Sequence, residues 1–247
     1  MILRTVNLTK QFGGLIAVDH VNIQIHEGTV HSIIGPNGAG KTTLFNILTG
    51  EIPPNDGEVY FQEKRITGLK PYQVAKIRIG RSFQQNSLFK NLSVFENIRL
   101  AAHVQHQGRF NFLSDFRSFH SPIDQAHKVL EEMEITSIAG KKVGELSHGA
   151  QRTLEVAIAL AADPLLVLLD EPTSGMSPEE AIRMVRLIRK LAKQRTMIVI
   201  EHNMNLVWSI STVITVLHQG QVIATGSPSE IEKNPEVRKA YLGGAAV

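Results

Sequence analysis

Three stretches of the chain are short and almost continuously aliphatic: residues 30–34 (VHSII), 165–169 (LLVLL) and 197–200 (MIVI). A strand covered on one face alternates, whereas a strand covered on both does not. These three runs therefore predict central strands of a parallel sheet. Residues 2–9, 18–25 and 57–61 do alternate polar and apolar positions, which predicts half-buried strands of an antiparallel sheet near the N-terminus. After Ser177-Pro178 the run EEAIRMVRLIRKLAK has helical spacing and sets Ile182, Val185, Ile188 and Ala192 on one packing side. Ser177 is its expected cap and Pro178 suits the first turn. Glu179 and Glu180 favour the positive end of the helix, Lys190 and Lys193 the negative end. Residues from 90 to about 160 read as mostly helical and lie between strand-rich regions. The pattern predicts an α/β fold. A core of mixed, mainly parallel sheet comes from 1–86 and 160–247, with an antiparallel β part at the N-terminus and a helical subdomain, 87–159, inserted.

Composition narrows this only a little. The chain has 247 residues with 43% hydrophobic and 20% charged, the proportions of an ordinary globular protein. A formal charge of +3 is too small to argue for a nucleic-acid partner, and none is expected. Cysteine is absent, which excludes disulfides and thiolate metal sites. No apolar run approaches the length of a membrane span, and MILRTVNLTKQFGG lacks the apolar centre of a signal peptide. The expectation is a cytosolic chain that meets a membrane only through a partner.

The sharpest chemical signal is GPNGAGKTT, Gly35 to Thr43, which fits G-x-x-x-x-G-K-[ST]. Phosphate oxygens need many donors at short range. Gly35, Gly38 and Gly40 let a backbone loop close on an anion, and the N-terminus of the following helix faces it. Lys41 is placed to reach the outer phosphates and Thr42 to offer its hydroxyl to Mg²⁺. VHSII before the loop and TTLFNIL after it, closing at Gly50, supply the strand–loop–helix context without which the pattern would be a glycine-rich turn.

LLVLLDEP, Leu165 to Pro172, delivers Asp170 and Glu171 at the carboxyl end of a buried strand, where α/β sheets bind ligands. Asp170 suits Mg²⁺, directly or through water, and Glu171 suits a general base acting on a water. VIEHN repeats the geometry and sets His202 at the same sheet edge, within reach of a γ-phosphate or its attacking water. In GRSFQQ, Gln84 or Gln85 could bind metal or water, although a surface glutamine explains the same letters.

LSHGAQ, Leu146 to Gln151, puts Ser147 beside His148 and invites a hydrolase reading. The context opposes it: a nucleophile elbow needs G-x-S-x-G between strand and helix, and GKKVGEL before Ser147 is no strand. Adjacent residues also align hydroxyl and imidazole poorly. Ser147 reads better as the cap of a helix through QRTLEVAIALAA that buries Leu154, Ala157, Ile158 and Ala161. A capped helix start with a hydroxyl and Gly149 is a second anion site in a chain with one carboxylate centre.

In order, GPNGAGKT, FQQ, LSHGAQ, LLVLLDEP and EHN resemble the motifs of the ATP-binding cassette ATPases, the nucleotide-binding subunits of ABC transporters, over essentially the whole chain. The resemblance implies ATP and Mg²⁺ as cofactors and a P-loop ATPase core. It implies that Gly35, Pro36, Asn37, Gly38, Ala39, Gly40, Lys41, Thr42 and Thr43 cradle the triphosphate. It selects Gln84 as a metal- and water-facing residue, Glu171 as catalytic base and His202 as its partner at the γ-phosphate. Phe12, which periodicity alone would assign to the core, falls where the family stacks an aromatic on adenine, and Val18 joins it in the nucleotide site. Ser147 and Gly149 would contact ATP held by a second cassette, identical or paralogous, in a head-to-tail dimer. Transmembrane permease subunits are the implied direct partners, a substrate-binding protein the indirect one, and the cytoplasmic face of the membrane the location.

Two positions depart from the family pattern. His148 and Ala150 stand at a glycine and the glutamine of Leu-Ser-Gly-Gly-Gln, and Ser177 stands where the loop after Glu171 usually ends in aspartate. The second puts coupling between two sites in doubt. FGGLIAV, LSHG, the insert 103–122 and the tail NPEVRKAYLG resemble the branched-chain amino-acid and urea uptake subgroup, with a lipopolysaccharide-export ATPase the alternative. A soluble ABC ATPase of nucleic-acid metabolism is a further alternative, but no heptad run supports it. A P-loop GTPase is disfavoured by the missing Asn-Lys-x-Asp. The insert interleaves Phe110, Phe112, Phe116 and Phe119 with Arg109 and Arg117. Packing onto the helical subdomain is the favoured reading of it, ahead of stacked bases or contact with a membrane partner.

Overall fold

The computed structural model describes residues 1–82, 88–105 and 122–242. Strands β1 (Leu3–Phe12), β2 (Leu15–Val21), β3 (Gln24–Ile25) and β4 (Val30–Ile34) precede helix α1 (Lys41–Leu48). Next come β5 (Asp56–Phe61), β6 (Lys64–Arg65), α2 (Pro71–Lys76) and β7 (Ile79–Arg81). Helices α3 (Val94–Ala102), α4 (Pro122–Glu132) and α5 (His148–Ala161) follow. The chain then alternates through β8 (Leu166–Asp170), α6 (Pro178–Ala192), β9 (Thr196–Ile200), α7 (Met204–Ile210), β10 (Val213–His218), β11 (Gln221–Gly226), α8 (Pro228–Lys233) and α9 (Pro235–Leu242).

The larger sheet has the order β11-β10-β4-β9-β8-β7, parallel throughout except where β11 turns back on β10. The aliphatic runs are its centre: every residue of β4, β8 and β9 is buried, because helices or the second sheet cover both faces. The smaller sheet is antiparallel, β2-β1-β5-β6 with β3 also on β1. One apolar cluster fills the space between the two sheets around α1, with Leu44 and Phe45 fully buried. A second joins α3, α4, α5 and α6 to the other face of the parallel sheet. Each such fully buried Leu, Ile or Phe contributes about 1.5–3 kcal/mol relative to exposure.

Two expectations are corrected. Residues 18–25 form two strands, not one: β2 and β3 both pair with β1, but at separate registers. In α6 the buried stripe is Met184, Leu187, Ile188 and Leu191, and Ile182 is 60% exposed. The helix rests on the sheet through positions i, i+3, i+4 and i+7 counted from Met184, one step round from the expected side. Its start is as expected, with Ser177 Oγ accepting from Glu180 N–H at 3.3 Å and Glu180 returning the bond to Ser177 N–H at 3.0 Å.

Parallel register brings the carboxyl ends of the central strands to one edge. Asp170 pairs with Ile200, and Ile33 with the same Ile200, so Gly35, Glu171 and Glu201 leave the sheet side by side. In open α/β sheets this is the edge that binds ligands.

Candidate active site

The phosphate-loop residues connect β4 to α1 as expected. Asn37, Gly38 and Thr42 face solvent while Gly35 and Ala39 are buried. Gly40 stands immediately before the helix with φ 98°, and a Cβ there would lie 2.2 Å from the Ala17 carbonyl oxygen. Only glycine meets both conditions. Leu44 N–H donates to Gly40 O at 2.9 Å, which starts the helix and leaves its first N–H groups aimed back at the loop. The Lys41 ammonium donates to Gly35 O at 2.7 Å and Pro36 O at 2.9 Å, so the lysine lies along the loop it serves. Burial lowers the Lys41 pKa, and the charges of Glu171 and Asp170 act against that. The lysine and both carboxylates thus share one local field.

Asp170 is 7% exposed at the end of β8. Burial raises its pKa, and the neighbouring Glu171 charge adds to the rise, opposed by Arg81 and Arg152. Its N–H donates to Ser82 Oγ at 3.1 Å, which ties the strand end to the segment leading toward residues 83–87. Gln84 lies outside the described residues. Glu171 adopts a left-handed backbone, φ 46°, and its N–H donates to Ile200 O at 2.8 Å. Its Oε1 is 3.4 Å from His202 Nδ1. Both side chains are open to solvent, as a pair that must meet a ligand requires.

Several residues that frame the site carried no role in the sequence reading. Glu201, 1% exposed, accepts from Thr173 Oγ1 at 2.7 Å and from the N–H groups of Thr173, His202 and Asn203. It fastens the turn after Glu171 to the end of β9. A carboxylate among apolar strand residues needs such donors, and that was the available signal. Burial pushes the pKa of the Tyr241 hydroxyl, on α9, up to about 12, and the neighbouring Gly35 backbone acts against that. Arg152, on α5, reaches the backbone carbonyls of both Asp170 and Glu171. Nothing local in the sequence announces the placement of Tyr241 or Arg152, because each joins segments far apart in the chain.

Ser147 caps α5, its Oγ accepting from Ala150 N–H at 3.2 Å. The same hydroxyl donates to Glu180 Oε1 at 3.5 Å, and the Glu180 carboxylate lies where a Cβ on Gly149 would be, 2.2 Å away. A side chain at 149 would have to displace the Glu180 carboxylate, the movable end of a flexible side chain. Phe12 is 49% exposed at the end of β1, with Lys10 Nζ 5.2 Å from its ring centroid, so the core assignment that periodicity alone suggested is wrong. Val18 is the opposite case. It is 1% exposed in the cluster between the sheets, because β2 turns that side chain inward, and it offers no free surface to a nucleotide.

A glycine-rich loop with its lysine, two carboxylates and a histidine at one edge of a parallel sheet define a P-loop nucleotide-binding protein. The remaining match is more specific. The chain belongs to the ABC transporter family, whose model matches residues 18–174, and a second model, described as branched-chain amino acid ATP-binding cassette transporter, matches residues 221–247. It is 42% identical to the high-affinity branched-chain amino acid transport ATP-binding protein BraF of Pseudomonas aeruginosa, over 99% of this chain and 98% of that one. It is 38% identical to the corresponding LivG protein of Escherichia coli K12, again over 99% and 98%. Among solved structures, an ATP-binding cassette of an ABC transporter in its ADP conformation superposes with a TM-score of 0.85 at 33% identity, covering 98% of each chain. A dimeric bacterial ABC transporter cassette superposes at 0.78 with 29% identity, over 92% of this chain and 98% of that one.

Proposed function

We propose that this chain is the ATP-hydrolysing subunit of an importer for branched-chain amino acids, working as a pair of cassettes beneath membrane-spanning partners. The observation that carries the chemistry is the convergence of Lys41, Glu171 and His202 on one sheet edge. The substrate class rests on the full-length likeness to BraF and LivG and on the C-terminal match.

In this reading the loop amides and Lys41 hold the phosphates and balance their charge. Glu171 takes the proton of the attacking water, and His202, 3.4 Å away, orients that water and the γ-phosphate. Phe12 supports the adenine. Thr42 and Asp170 fit Mg²⁺: both are hard oxygen donors, and Asp170, its pKa raised first by burial and then by the Glu171 charge, is a carboxylate whose ionised form a cation would favour. When bound, the ion would neutralise phosphate charge. Gln84 is assigned the same neighbourhood from its motif alone. Ser147 and Gly149 act on nucleotide held by the second cassette, which the dimeric relative supports.

No helix among the described residues is long and apolar enough to cross a membrane, so the membrane contact runs through partners. A cleft of about 250 Å³ between the core and the α3–α5 layer is lined mainly by apolar residues, including Val74, Ala101, Val104 and Ile158, with Tyr72 59% exposed at its rim. It suits a short helix from a permease.

The test is reconstitution with the co-purifying membrane subunits in vesicles. Leucine, isoleucine or valine with the cognate binding protein should stimulate ATP hydrolysis. Stimulation by urea alone would overturn the substrate class, and failure to hydrolyse ATP would overturn the enzyme.

A further inference from the structure

Glu171 sits in a backbone conformation that an L-residue does not hold without help. Its φ of 46° costs on the order of 1 kcal/mol or more, and the surrounding structure must enforce it. One side is held by β9 through the Ile200 carbonyl. The other side is held by the turn that follows, through Ser174 N–H donating to Glu171 O at 3.0 Å, and by one side chain from outside the turn. Arg152 Nε and Nη2 donate to Glu171 O at 3.2 and 2.7 Å, and Nη2 also donates to Asp170 O at 2.6 Å. The peptide groups on both sides of Glu171 therefore hang from one guanidinium, whose planar fork suits two neighbouring acceptors.

Arg152 is itself fixed. It is 8% exposed, and its Nη1 donates to Glu155, one turn along α5 and 1% exposed. Burial raises the Glu155 pKa against the pull of Arg152, and the buried Glu155 Oε1 has no hydrogen-bond partner among the described residues. A buried ion pair with an unsatisfied oxygen is a poor source of stability, and apolar side chains of similar volume commonly replace such pairs without loss. Its value here is geometric. Arg152 lies five residues after Ser147 on the same helix, so any shift of the α5 start moves the point from which Glu171 is suspended.

We propose that Arg152 is a positioning residue that couples the Ser147 end of α5 to the aim of Glu171 in the same chain. The inference rests on the assignment of Glu171 as the base. It supplies a route from the start of α5 to the chemistry that does not use the loop in which Ser177 replaces aspartate. Arg152 touches no substrate; it sets where the carboxylate points.

Two variants of the full-length chain test this. Arg152→Lys keeps the charge facing Glu155 but loses the fork. The double variant Arg152→Met/Glu155→Met replaces the whole buried pair with apolar volume and protects the fold if the lysine variant does not fold. Expected results are a Tm within a few degrees of wild type for the double variant, a KM for ATP within about twofold, and a kcat at least tenfold lower. The lysine variant should fall between the double variant and wild type. In a Glu171→Gln background, the double variant should still form the ATP-dependent dimer. A folded double variant with wild-type kcat overturns the proposal, as does loss of the dimer, which would make Arg152 an assembly residue. Wild-type protein that turns over no ATP overturns the ATPase reading and this inference with it. Wild-type turnover with unaltered variants overturns this inference alone.

Discussion

His202 Nδ1 stands 3.4 Å from Glu171 Oε1, although 31 positions separate them in the chain. The contact follows from register: Asp170 pairs with Ile200 across β8 and β9, so the residues just beyond both strand ends emerge together. The side chains are 63% and 42% exposed, so this pair adds little to stability. Its position makes it chemical, and Glu171→Gln should leave ATP binding intact while lowering phosphate release by about 10²–10⁴-fold, the range for loss of a general base. Wild-type release rates from a folded variant would remove Glu171 from that role.

Ser147→Arg places a long cation at an exposed helix start and removes a cap worth about 1 kcal/mol. The fold should survive. In the Glu171→Gln background the ATP-dependent dimer, followed by light scattering, should disappear. A dimer of unchanged stability would mean that the α5 start does not contact the second nucleotide.

Gly40→Ala should damage the phosphate loop itself. A Cβ would meet the Ala17 carbonyl at 2.2 Å at a φ of 98°, so loop and β2 must separate. Titration calorimetry with a non-hydrolysable ATP analogue should show binding weakened by at least tenfold. Unchanged affinity would show that the loop tolerates the displacement.

Phe12→Ala tests the adenine platform. The ring is half exposed, so Tm should barely change, whereas losing a stacked base typically costs about 1–3 kcal/mol, or at least about fivefold in Kd. Equal affinities for ATP before and after the substitution would return Phe12 to an ordinary surface position.

His31, in the middle of β4, is 1% exposed and shares a 2.7 Å hydrogen bond with Thr215 Oγ1. Burial, with a smaller contribution from His26, lowers its pKa from 6.5 to about 4. Between those values the unfolded chain binds the proton and the folded chain does not. The stability associated with neutral His31 is therefore fully present above pH 6.5 and is lost as pH falls to 4, by about 3 kcal/mol in total. Urea midpoints measured from pH 7 to 4.5 should fall in the wild type and fall less steeply in His31→Gln. Parallel slopes would contradict the assignment.

Much of this protein was legible along the chain because the signals are local. The mostly aliphatic runs became the buried parallel strands, GPNGAGKTT became the loop between β4 and α1, and Ser147 and Ser177 cap the helices they precede. Each depends on neighbours within a few residues, where backbone geometry and side-chain period act directly. Tertiary structure decided the rest. It exposed Phe12 and buried Val18, residues of similar hydropathy on adjacent strands, because only the packing of β2 against the second sheet distinguishes their sides. It placed the Glu180 carboxylate over Gly149, closed the Glu201 fastening and hung Glu171 from Arg152. These contacts join segments brought together only when the sheet and helices close. Their directions are set by register and helix rotation, which a one-dimensional pattern does not contain.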